Sequence, residues 1–189
     1  FGTNGLLPLE GLPHVADIVT LEENEKLQKM LSRLEQNLAE RKALFKKEGV
    51  ANLKQYQSKT KHKLPILVNI LDSYDGLSPN DNRKEAIDNL LMKVLREGAA
   101  VGIYLVLTAG RYNAIRMNMM ANIQTKMALF LNEDGDLSNL FGREKLEQVE
   151  LPGRAQIKLE QPLALQIYLP VKGESEVEVL AAMDQEISA

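Results

Sequence analysis

The apolar positions of this chain fall into two rhythms. Leu27, Met30, Leu31, Leu34, Leu38 and Phe45 recur at helical spacing and mark one face of a long helix. Thr20 and Glu23 stand ahead of it at capping-box spacing, and Gly49 predicts its end. A polar loop follows. "LPILVNILD" (64–72) is apolar at nearly every position and predicts a strand buried on both faces. "NRKEAIDNLLMKVLREG" predicts a second amphipathic helix, with Ile87, Leu90, Leu91, Val94 and Leu95 on one side and Gly98 as its stop. "GIYLVLT" (102–108) predicts another buried strand, residues 112–121 a short Met-rich helix, and "KMALFL" (126–131) another strand. Residues 134–147 are broken and polar. "RAQIKL" (154–159) and "ALQIYL" (164–169) alternate around Gln161-Pro162 and predict an edge hairpin, followed by a helix over 174–187.

Strands alternating with helices predict an α/β fold, a largely parallel sheet with helices on both faces and an antiparallel hairpin near the end. In such sheets ligands sit at the carboxyl ends of the strands. Asp72 and the stretch after Thr108 would share that edge, so chemistry belongs there.

Composition narrows the possibilities. The chain has 189 residues, 44% hydrophobic and 26% charged, enough for one domain with a substantial core. A formal charge of -3 gives no electrostatic reason to expect nucleic acid. The one short basic run, "KTKHK" (59–63), reads as a solvated loop. The absence of cysteine excludes disulfides and thiolate chemistry. No apolar run reaches the roughly 18 residues of a membrane span. The opening "FGTNG" reads as a strand end running into a turn, as in a piece of a longer polypeptide.

Most catalytic menus fail. His14 and His62 are isolated from any ligand or triad spacing, and "GTNGLLPLEG" is a turn rather than a phosphate loop; no G-x-x-x-x-G-K-[ST] occurs. Asp72 remains open between two roles. It is either a strand-end acid making turn bonds with Ser73 and Asp75, or a metal-holding carboxylate. Met92, Met117, Met119, Met120 and Met127 are open between core filling and an adaptable peptide groove, with core filling favoured.

Taken in order, "LPHVADIVT", "LPILVNILDSYDGL", "EGAAVGIYLVLTAGR", "MANIQTKMALFL" and "LPGRAQI" resemble the FtsK/SpoIIIE family of ring-forming motor ATPases. "FGTNGLLPLEGLPHVAD" and "LDSYDGL" resemble more closely the coupling ATPases of type VIIb secretion, at their second cytoplasmic ATPase domain. The resemblance implies a RecA-like P-loop NTPase core, with residues 1–189 as one partial domain beginning after the phosphate-binding loop. It implies ATP and Mg²⁺ as cofactors of the complete domain, held only loosely by this chain, with Asp72 at the Walker B position supporting the metal. It further assigns Thr108, Gly110, Arg111 and Lys126 to the nucleotide.

The departures from that pattern are as informative. Ser73 stands where active motors carry the catalytic glutamate, and a serine hydroxyl is no base at neutral pH. Ala109, Gly110, Arg111 and Tyr112 replace "TQRP", so Gly110 lacks the side-chain amide that senses the γ-phosphate. Gln124, Thr125 and Lys126 replace "PTR"; Lys126 supplies charge without a bidentate fork. The implied function is an ATPase-family module of a secretion coupling protein with a degenerate catalytic edge. Its implied partners are sister ATPase domains, small helical WXG-type secretion substrates and membrane proteins of the secretion machine. The implied place is the cytoplasmic face of the membrane, anchored by segments outside this chain.

The alternative is a DNA-translocating motor domain, which the acidic balance disfavours. The chain is expected not to bind duplex DNA at low salt in a mobility-shift titration; binding that weakens steeply as salt rises would favour the motor instead.

Overall fold

A computed structural model describes residues 5–188. The chain forms two compact units, residues 18–122 and residues 5–17 together with 123–188. The expectation for "FGTNG" falls largely on residues 1–4, outside the described residues; Leu7–Gly11 forms one short 3-10 turn.

In the first unit, α1 (Asn24–Glu48) buries Leu27, Leu34, Leu38, Arg41 and Phe45, the predicted stripe with one guanidinium set into it. Only half of the capping box forms: the Glu23 carboxylate accepts from the Thr20 amide at 2.9 Å, and the helix starts four positions after Thr20. Gly49 ends α1 at φ 64°, where Gly49 N–H donates to Lys46 O and Val50 N–H to Phe45 O. Only a left-handed residue closes both bonds, which is why glycine stands there.

The predicted polar loop after Gly49 is instead α2 (Leu53–Thr60), capped by the Asn52 side chain accepting from Gln55 N–H. Its stacking of Tyr56 on Phe45, with ring centroids 5.1 Å apart, offsets a weak intrinsic pattern. Part of "KTKHK" therefore lies in a helix, and Lys61 takes its left-handed cap.

Strands β1 (Leu67–Leu71) and β2 (Ile103–Leu107) pair in parallel, with α3 (Lys84–Glu97) as the crossover helix between them. Leu67, Ile103 and Leu105 pack with Leu34, Leu38, Leu90 and Val94. Toward the carboxyl ends Leu71, Tyr74, Leu77, Ile87, Leu91 and Met119 form a second cluster. The expected burial on both faces does not hold: only one face of the pair is covered. Ile66, Val68, Ile70, Tyr104 and Val106 are 44–58% exposed and make up the opposite face of the pair. An apolar run says that a strand is meant for cover on both sides, but not that the same segment supplies both covers.

The amino ends of the pair are held by Arg41. Its guanidinium donates to Val101 O at 2.9 Å, Gly102 O at 3.3 Å and Pro65 O at 2.7 Å. Gly102 itself sits at φ 76°, and a Cβ there would lie 2.6 Å from the Leu53 side chain.

In the second unit, β3 (Lys126–Ala128), β4 (Arg154–Lys158) and β5 (Pro162–Gln166) form an antiparallel sheet in that order. The predicted hairpin is therefore present, and "KMALFL" joins it rather than continuing the parallel pair. The predicted broken stretch contains α5 (Asp134–Phe141), whose Leu137 and Phe141 are buried against Ala128. Two glutamine amides replace missing ladder bonds. Gln156 exchanges hydrogen bonds with the Leu146 peptide group, and Gln148 does so with that of Leu131. The last helix, α6, spans Glu176–Ser188. No helix among the described residues is long and apolar enough to cross a membrane.

Arg41→Met is expected to lower stability by about 2–4 kcal/mol, since it strips the donor from the buried Val101 and Gly102 carbonyls and from the Pro65 carbonyl. The check is a reduced urea midpoint with an unchanged slope. A midpoint equal to that of the wild type would refute the clamp.

Candidate functional site

The carboxyl ends of β1 and β2 converge on one hydroxyl. Thr108 Oγ1 donates to Asp72 Oδ1 at 2.6 Å and accepts from Ser73 N–H at 2.8 Å. The backbone continues the pairing one step past the strands, Thr108 N–H to Leu71 O and Tyr74 N–H to Thr108 O. Asp72 thus lies at the strand rim, beside the segment that begins at Thr108, as the periodicity predicted. Ser73 pays for the turn: it sits at φ 52°, ψ 56°, a left-handed conformation that costs an L-residue about 1–2 kcal/mol.

The neighbouring acid is also committed. Asp75 Oδ1 accepts from Gly110 N–H at 3.2 Å, so that amide faces protein rather than an open site. Arg111 follows, exposed, in extended backbone. Asp72, Ser73, Thr108 and Gly110 are brought together. Lys126 lies in the second unit on β3, with Nζ donating to Ile123 O at 2.7 Å.

Beneath the turn lies a group of charges that the periodicity does not single out. Lys84 and Asp88 occupy the buried face of α3, with Tyr74 fully buried between them. The Tyr74 hydroxyl donates to Asp88, and burial, then that hydrogen bond, push its phenol well above the ordinary tyrosine range. Lys84 and Asp88 fall in phase with Leu91 and Leu95, and charged residues at apolar phase were the available signal. Arg83, next to them, holds the Asp81 carboxyl down at about 2 and donates to Leu21 O at 3.0 Å.

The remaining candidates resolve simply. His14 and His62 are exposed. Met119 is a core residue and Met92 is buried, whereas Met117 and Met127 are 81% and 51% exposed. Among the described residues no three His, Cys, Asp or Glu side chains gather as a metal site.

One carboxylate beside a hydroxyl fits one corner of a magnesium ion whose other ligands are water and phosphate. It does not by itself hold a nucleotide. The described residues around Asp72 present no run of free amides for phosphate, since those of Ser73, Tyr74 and Gly110 are already engaged.

A parallel βαβ unit with an aspartate at its carboxyl edge is the architecture of a RecA-like ATPase core. The FtsK/SpoIIIE family model matches residues 1–156, and the chain belongs to that family. It is 36% identical over 170 residues to the type VII secretion system protein EssC of Staphylococcus aureus strain MRSA252, covering 90% of this chain and 11% of that protein. It is 33% identical over 187 residues to the ESX secretion system protein EccC of Geobacillus thermodenitrificans strain NG80-2, covering 99% of this chain and 12% of that protein. The chain therefore spans about a ninth of the length of those relatives.

Among solved structures, EssC (ATPases 2 and 3) from Geobacillus thermodenitrificans superposes with a TM-score of 0.86 at 33% identity, over 100% of this chain and 36% of that one. Thermomonospora curvata EccC (ATPases 2 and 3), solved in complex with a signal sequence peptide, shares the fold at a TM-score of 0.75 and 19% identity, over 99% of this chain and 35% of that one.

Thr108→Val keeps the shape of the side chain and removes the hydroxyl that bridges Asp72 and the Ser73 amide. It is expected to cost about 1–2 kcal/mol in chemical denaturation, with Thr108→Ser close to wild type. A loss in Thr108→Ser with Thr108→Val close to wild type would mean that the methyl, not the hydroxyl, matters there.

Proposed function

We propose that this chain is an ATPase-family module of a type VII secretion coupling protein, corresponding to its second cytoplasmic ATPase domain. Its catalytic edge is degenerate: it binds nucleotide weakly or structurally and does not drive fast turnover. The observation that supports this is the Ser73 turn, held left-handed with its amide on Thr108, at the position to which the family resemblance assigns the catalytic glutamate. No general base stands there to activate water. The Gly110 amide, bonded to Asp75, supports the same reading.

In this proposal Asp72 and Thr108 would face Mg²⁺ through the bound nucleotide, and Arg111 would offer charge from the same edge. Lys126 would serve a nucleotide only as a point charge. Bound nucleotide would supply phosphate charge and the remaining ligands of the metal. The protein's own part is to aim one carboxylate and keep the rim closed. The module would work alongside sister ATPase domains and membrane proteins of the secretion machine, at the cytoplasmic face of the membrane. It would contribute to recognising WXG-type substrates, a role supported by the signal sequence peptide bound to the Thermomonospora relative.

The test is ATP turnover. The 189-residue chain is expected to hydrolyse no ATP above buffer. A polypeptide extended upstream through a phosphate-binding loop is expected to stay far below motor rates. Turnover at motor-like rates that Asp72→Ala abolishes would overturn the proposal.

A further inference from the structure

Tyr74 is held at both of its ends. Its amide donates to Thr108 O at 2.8 Å, and its hydroxyl lies in the buried cluster on α3. There the hydroxyl accepts from Lys84 Nζ at 2.9 Å while donating to Asp88 Oδ1, and Lys84 Nζ lies 3.5 Å from the same carboxylate oxygen. Met119, fully buried, closes the site with its sulfur 3.8 Å from the hydroxyl. The other carboxylate oxygen of Asp88 has no aligned hydrogen bond; it faces Arg116 Nε at 3.1 Å.

Arg116 comes from the segment beyond β2 and stands as the N-cap of α4 (Met117–Met120), with its side chain 53% exposed. The cluster thus joins three stretches of chain: the turn after β1, the start of α3, and the segment after β2. Replacing such a buried cluster by well-packed apolar side chains often leaves stability unchanged or raises it. What apolar packing would not reproduce is direction. Hydrogen bonds to a hydroxyl fix where the tip of the ring sits, and the ring fixes the residue that follows Ser73. Ser73 occupies a conformation that a free turn would leave. Asp72 precedes it directly.

We propose that Tyr74 and Asp88 are positioning residues for Asp72, and that Arg116 ties their geometry to the segment carrying Gly110 and Arg111. The two lips of the strand edge, 72–75 and 108–116, then move as one body. The use of this device rests on the nucleotide-edge function proposed above; its existence does not.

Hydrogen exchange of the nucleotide-free 189-residue chain, followed residue by residue by NMR, separates the two. In Arg116→Gln the amides of Ser73 and Tyr74 are expected to exchange roughly tenfold faster, while the Leu38 amide in α1 changes far less. Arg116→Lys is expected to restore most of the protection, and Tyr74→Phe to reproduce the loss. Arg116 is half exposed, so its variants keep the test decisive should Tyr74→Phe or Asp88→Asn fail to fold. Unchanged exchange at Ser73 and Tyr74 in Arg116→Gln would overturn the proposal. So would equal acceleration of all three amides, the mark of a purely structural contact. If fluorescent ATP with Mg²⁺ never binds even a polypeptide that includes the phosphate-binding loop, the proposed function fails while the coupling stands.

Discussion

A guanidinium set among carbonyl oxygens holds the parallel pair in place. Arg41 spans the starts of both strands from the middle of α1, bonding Pro65 on one side and Val101 and Gly102 on the other. Parallel pairing is somewhat weaker per residue than antiparallel, and two short strands have little to spare. A slip of one residue would turn every side chain of β1 to the other face. It would also separate Asp72 from Thr108, whose hydroxyl closes the far end. The register that creates the rim is therefore fixed at both ends by polar groups, while Leu38, Leu90 and Val94 supply the apolar burial between.

In the proposed reading, that arrangement lets a site keep its shape without its chemistry. Asp72 is bound to Thr108, Asp75 to the Gly110 amide, and Tyr74 to the cluster on α3. Each bond orders the rim, and none requires a catalytic base. On the proposed function, the same edge would serve this chain as a rigid part. The left-handed Ser73 shows the cost that the turn still carries.

Much of this was legible in the amino-acid pattern. The α1 stripe, its glycine stop, the two parallel strands around an amphipathic helix and the edge hairpin all follow from spacing alone. Asp72 and Thr108 were placed on one rim by the rule that parallel strands end together. What escaped had physical causes. Helices α2 and α5 are eight residues each, too short for a period to declare itself, and exist through contacts such as Tyr56 on Phe45. Arg41, Lys84 and Asp88 occupy apolar phases, where a charge reads as an interruption until its partners are known. Whether a face is covered depends on what lies across it, and Val68 and Val106 carry no mark of that.

The uncovered side of the parallel pair has a practical meaning for anyone handling this polypeptide. A stripe of exposed isoleucine, valine and tyrosine side by side is adhesive in water. In dilute solution it would draw on chaperones, detergents or neighbouring molecules, and yield on purification would depend on which of these arrives first.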